Sequence, residues 1–151
     1  MVDTVLVFLY TGFRLMELLN MQTEQVDLQQ KTFQGGIKTA AGKGRIVPIH
    51  PKILPFVQAW AQHGHKYLLT ADGKKLSKQK YYECWAEVMD RIGADKTPHE
   101  ARHTFETSLD NAKANRKCID LLMGHKSKDV GNRVYNHKTL EQLRETILLL
   151  E

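Results

Sequence analysis

The chain predicts a mainly α domain of the α+β class, with one small antiparallel β-sheet near its start. Three observations predict it. Apolar residues recur at helical spacing through most of the chain, most cleanly at Tyr81, Cys84/Trp85, Val88/Met89 and Ile92. Residues 25–50 break that period with short β-branched runs split by glycines. No repeat or low-complexity linker divides the 151 residues, a length that fits one domain with a real core.

Residues 2–10, VDTVLVFLY, form a short apolar helix that ends at Thr11-Gly12, where glycine supplies the turn. A second helix covers 13–20, with Leu15, Leu18 and Leu19 as its apolar face. Between 25 and 50, Gly35-Gly36 and the Gly42-Lys43-Gly44 turn divide the β-branched runs into a three-stranded sheet or hairpin, which Pro48 and Pro51 end. Helix resumes over 52–62, interrupted at Pro55. The segment YLLT at 67–70 reads as a short strand before the Asp72-Gly73 turn. Helices then follow at 77–92, at 98–111 after Pro98, at 115–123, as a short piece at 128–135, and at 139–150.

The formal charge is +5, with seven histidines besides, and the sequence pI is about 9.2. That balance favours a polyanionic partner without naming one. Its placement says more: Lys38, Lys43 and Arg45 cluster in one segment, and the last third holds Lys96, Arg102, Arg116 and Arg133 among others. Most of the lysines read as a solvated surface. Cys84 and Cys118 sit in apolar helical patterns without CxxC spacing, which reads as reduced thiols inside a cell. No signal-peptide pattern or bilayer-length apolar run occurs, so the expectation is a soluble, cytoplasmic protein.

Several short segments stand out, each with an ordinary explanation when taken alone. Arg14 follows a glycine turn at a helix start, as many solvent-facing arginines do. Lys38 and Arg45 flank a tight turn, where lysine commonly keeps an edge strand soluble. Tyr135 lies near Arg133 and His137, as a half-buried tyrosine would. PHEARHTF at 98–105 is less ordinary. His99 and Arg102 stand at i and i+3 on one helix face, beside N-terminal amides that attract anions. Gly124-His125 follows an apolar helix, and Tyr135 comes ten residues later.

Taken together, TGFRLMEL, KTAAGKGRIVP, HEARHTF, LMGH and VYNH resemble, in order, the successive signature boxes of the tyrosine recombinase, or phage integrase, family. The resemblance covers nearly the whole chain. It implies that family's catalytic-domain fold and a metal-independent, cofactor-free DNA recombinase that integrates or rearranges mobile DNA. Position by position, it implies that Arg14 is the first catalytic arginine and Lys38 the lysine of the hairpin. His99 and Arg102 match the HxxR box, His125 the later histidine position, and Tyr135 the nucleophile. Lys43, Arg45, His103 and Arg133 are expected to meet DNA, with Lys43 and Arg45 alternatively pinning the hairpin. The ten-residue step from His125 to Tyr135, and LMGH where LLGH is commoner, depart slightly from the pattern.

The chemistry suits these residue types. A tyrosine oxygen attacking a phosphodiester builds negative charge on the non-bridging oxygens, which two guanidinium forks can hold. His125 would donate a further hydrogen bond, His99 is the candidate base, and Lys38 would protonate the leaving 5′-oxygen. The 3′-phosphotyrosine retains the ester's energy, so a second 5′-hydroxyl can reverse the step.

The resemblance also implies double-stranded DNA as partner and a homo-oligomer, a tetramer, assembled on it. The last helix, 139–150, presents Leu140, Leu143, Ile147 and Leu150, which would dock on a neighbouring subunit or fold back in cis. Residues 1–151 are expected to be one catalytic domain, shortened at its N-terminus and lacking the family's core-binding domain. Two rival readings use the same residues. HEARH matches the H-E-x-x-H zinc-peptidase motif, without a third ligand in evidence downstream. A non-catalytic DNA-binding module would keep the basic helices but lose one of Arg14, Arg102 or Tyr135.

Overall fold

The computed structural model describes residues 2–35, 44–125 and 137–151. Seven helices surround one core among these residues, with a three-stranded antiparallel sheet at one edge and a two-strand ribbon. The predicted helical piece at 128–135 lies outside the described residues.

Helix α1 (Val2–Thr11) and helix α5 (Pro98–Asn111) pack against each other at the centre. Val7, Phe8, Phe105 and Leu109 are fully buried between them and their neighbours. Burial of such side chains stabilises the fold by about 1.5–3 kcal/mol each. The closeness depends on Gly12, which has φ +60; a Cβ there would sit 2.5 Å from the Phe105 ring. Helix α4 (Lys78–Ile92) adds the predicted stripe through Tyr81, Trp85, Val88 and Met89, whereas Ile92 at its end is exposed; Tyr81 and Trp85 stand edge-on to Phe8 at centroid distances of 6.0 Å. Ser77 caps it by accepting the Lys80 amide.

Helix α2 (Leu15–Leu19) is shorter than the sequence suggests, because Phe13 is a core residue of the preceding turn and Arg14 is extended at the N-cap. The sheet runs β1 (Val26–Asp27), β2 (Thr32–Gly35), β3 (Arg45–Pro48), with Phe33 opposite Val47 and Gly35 opposite Arg45. Pro55 does not interrupt a helix over 52–62. Helix α3 (Leu54–Ala61) begins beside it, in the first turn, where the missing N–H costs nothing. The strand expected at 67–70 shifts to β4 (Thr70–Ala71), which pairs around Asp72-Gly73 with an unforeseen β5 (Lys74–Lys75). Leu68 and Leu69 instead enter the core.

Helix α6 (Arg116–Met123) is capped by Asn115 and closed by Gly124 at φ +65. Helix α7 (His137–Ile147) lies on β3 and α6 of the same chain. Leu143, Ile147 and Leu150 are buried there, and the Arg144 guanidinium donates to the Gln30 carbonyl at 2.7 Å. Of the two alternatives left open for this stripe, these three side chains take the second and fold back on their own chain. Both cysteines are free thiols, Cys118 buried and Cys84 half-buried. Among the described residues no helix is long and apolar enough to cross a membrane.

Candidate active site

Arg14, His99 and Arg102 line one cleft of about 360 Å³, between the turn after α1 and the start of α5. Arg14 comes from the extended N-cap of α2, so its side chain leaves the turn rather than following a helix face. It remains 37% exposed. His99 and Arg102 come from the first turns of α5, which Thr97 and Glu100 hold in a reciprocal capping box. Lys78 and Tyr82 of α4 also line the cleft.

Arg102 is buried at 4% exposure, and its guanidinium is anchored by backbone. Nη1 donates to the Gly12 carbonyl, and Nη2 to the Met123 carbonyl at 2.7 Å. Burial, with repulsion from Arg14 and Arg45 behind it, pulls its pKa down to about 10, so it remains a cation at neutral pH. Nη2 also lies 3.4 Å from Nε2 of His125, which follows the Gly124 turn at the end of α6. Nδ1 of His125 is 3.6 Å from a carboxylate oxygen of Asp120.

Glu17 is the buried acid of the cleft, at 5% exposure. Its carboxylate accepts the Arg14 amide at 2.7 Å and both Arg45 Nη groups at 2.6 and 2.9 Å. Burial pushes the carboxyl up, but the hydrogen bonds and charge of Arg45, and then of Arg14, outweigh it and hold the group below its ordinary value. The expectation that Arg45 meets DNA is corrected here. The residue has no exposed surface, because its fork is turned inward to a buried carboxylate. It pins β3 to the start of α2, the alternative that the sequence left open.

His103 is exposed and lies one turn beyond His99, with their Nε2 atoms 3.0 Å apart. Those two histidines are the pair that a zinc-peptidase reading needs. Glu100, which would be its base, instead accepts the Thr97 amide at 2.8 Å and Lys96 Nζ at 3.2 Å. Among the described residues, no three His, Cys, Asp or Glu gather where they could hold a metal. Lys38, Lys43, Arg133 and Tyr135 lie outside the described residues.

A family model described as the phage integrase family matches residues 3–142. The chain belongs to the phage integrase family. Tyrosine recombinase XerA of Thermococcus kodakarensis is 30% identical to this integrase-family chain over 151 residues, covering 93% of it and 52% of the relative. The chain thus spans about half the length of the curated relatives it matches. The integrase of mycobacterium phage Brujita superposes with a TM-score of 0.78 at 23% identity, over 99% of this chain and 50% of that one. The Tn1549 transposon integrase, solved in complex with circular intermediate DNA, superposes with a TM-score of 0.69 at 24% identity, over 95% and 55%. At such identities the likeness establishes the integrase fold, the mainly α domain with a small sheet that the sequence predicts.

Sequence reasoning missed Glu17, Asp120, and the carbonyl acceptors of Gly12 and Met123. Glu17 has a local signal, an acid three residues after Arg14 in the first helical turn. The backbone acceptors have none.

Proposed function

We propose that this phage integrase-family chain is a single catalytic domain that cuts and rejoins double-stranded DNA through a 3′-phosphotyrosine, in site-specific recombination. The observation that carries the reading is the convergence of Arg14, His99 and Arg102 on one cleft, with His125 against Arg102. In this reading the two guanidiniums hold the non-bridging oxygens of the scissile phosphate, and His125 adds a donor. Tyr135 attacks the phosphorus and its proton passes to His99. Lys38 then supplies a proton to the 5′-oxygen as its bond to phosphorus breaks. Anchoring Arg102 on backbone carbonyls supports this, because a pre-placed cation needs no reorganisation as charge develops.

DNA as partner is supported by the basic balance of the chain and by the Tn1549 integrase, which was solved with DNA. We further propose a homotetramer on paired sites, with contacts between copies made elsewhere than through the buried Leu143, Ile147 and Leu150. A cytoplasmic chain encoded by a bacterium, phage or mobile element fits the free cysteines.

A pool of nicked duplexes of randomised sequence tests the chemistry, because cleavage near the nick releases the short strand and traps the covalent complex. The expected result is protein-linked DNA after denaturation, lost in Tyr135→Phe and retained in EDTA. Adduct that persists in Tyr135→Phe moves the nucleophile elsewhere; DNA binding without any adduct favours the non-catalytic module.

A further inference from the structure

The Glu17 carboxylate is shared unequally between two arginines. Arg45 delivers an N–H to each oxygen, at 2.6 and 2.9 Å. Arg14 gives its backbone N–H at 2.7 Å, but its guanidinium stands back at 3.5 Å, the far limit of a hydrogen bond. The Arg45 side chain has no exposed surface, whereas that of Arg14 is 37% exposed. Arg45 therefore cannot touch a phosphate itself, and the polar group it does touch is the Glu17 carboxylate.

The sign of that effect follows from charge and burial. A buried carboxylate demands a counter-charge, and the Arg45 fork meets that demand in full. Without Arg45, the same carboxylate has the Arg14 guanidinium within reach. Closing the 3.5 Å separation would neutralise Arg14 inside the protein and take its donors from the cleft. Arg45 is also held in place sideways. Its guanidinium lies 5.0 Å from the centre of the Phe13 ring, and Gly35, opposite Arg45 across the strands, leaves room for that ring. A Cβ on Gly35 would come within 2.6 Å of Phe13.

We propose that Arg45 is a positioning residue that occupies the Glu17 carboxylate and so leaves the Arg14 guanidinium only loosely engaged there and available to hold a DNA phosphate. The inference rests on Arg14 being a phosphate ligand, as in the function proposed above. It differs from a purely structural role in one respect: removing Glu17 together with Arg45 should return what removing Arg45 alone takes away.

Affinity of the whole chain for a duplex of arbitrary sequence, measured by anisotropy across a salt series, reads this directly. Arg14→Ala should weaken binding and lower the slope of log affinity against log salt by about one, the signature of one lost phosphate contact. Arg45→Met should cause the same loss although the residue is buried, and Arg14→Ala should add nothing to it. The double variant Arg45→Met with Glu17→Gln should regain the slope. Urea unfolding confirms that each variant is folded under the binding conditions. If Arg45→Met does not fold, Arg45→Lys, which keeps the charge but not the fork, should show a partial loss. An Arg45→Met protein with an unchanged slope, or a double variant as defective as the single one, overturns the proposal. If Arg14→Ala alone changes nothing, Arg14 is no phosphate ligand, and the reading beneath the proposal fails with it.

Discussion

Nη2 of Arg102 lies 3.4 Å from Nε2 of His125, 23 residues further along the chain, and donates to the Met123 carbonyl from the same nitrogen. One guanidinium thus ties the start of α5 to the turn that ends α6. The opposite ring nitrogen of His125 faces Asp120 at 3.6 Å. The ring thus stands between an arginine and a carboxylate, which together bias its orientation.

Asp120→Asn is expected to slow adduct formation about threefold to tenfold, the cost of losing about 1 kcal/mol of orienting interaction. Stability should change little, because the pair is partly exposed. Single-turnover cleavage beside a thermal melt separates the two effects; a large drop in melting temperature with normal cleavage would contradict the orienting role.

Arg102→Lys keeps the charge but cannot serve both backbone carbonyls and the cleft with one ammonium. Leaving a buried acceptor without its donor costs about 1–3 kcal/mol, and in the proposed mechanism the phosphate loses its planar fork. The expected outcome is a folded protein, weakened in urea, that forms no detectable covalent complex.

Gly12→Ala meets two obstacles, a backbone at φ +60 and a Cβ 2.5 Å from Phe105. Overpacking of this kind costs about 1–3 kcal/mol, and the strained φ adds to it. Since the Gly12 carbonyl accepts from Arg102, cleavage should fall even at temperatures where the variant is fully folded. Urea unfolding and adduct yield together check this.

Glu17 gives stability a pH dependence of known sign. Its folded-state pKa lies below the ordinary value near 4.5, so its contribution is present above that value and is lost as pH falls through the folded pKa. Urea titrations from pH 7 down to about pH 3 should show wild-type stability declining in that acid window, with Glu17→Gln lacking this component. At neutral pH the variant should be weaker by about 3–5 kcal/mol, because Arg45 is left buried without its counter-ion. An acid decline equally steep in Glu17→Gln would assign it to other carboxylates.

Local signals made much of this fold legible. The α4 stripe, Pro98 at the head of α5 and the glycine after α6 are each readable within a few residues, and each marks a real element. Pro55 was harder, since a proline inside a helix and one in its first turn look alike until the start of the helix is known. Lys74–Lys75 carry no β-pattern, and only their pairing with Thr70–Ala71 makes them a strand. Arg45 reads as surface because the carboxylate that buries it lies 28 residues earlier in the chain. The apolar face of α7 was visible as a stripe, but a stripe does not say which surface covers it. Arg14, His99, Arg102 and His125 could be named because short motifs carry them. Their supports could not, since Glu17 and Asp120 acquire their meaning only from what stands beside them in space.

The seat of Arg102 is built from main-chain oxygens at Gly12 and Met123. Every amino acid brings a carbonyl, so the methionine of LMGH offers the same acceptor that a leucine would. The guanidinium's address is written in the path of the backbone and not in the lettering of its neighbours. Substitution at Met123 can reach the arginine only by bending the chain.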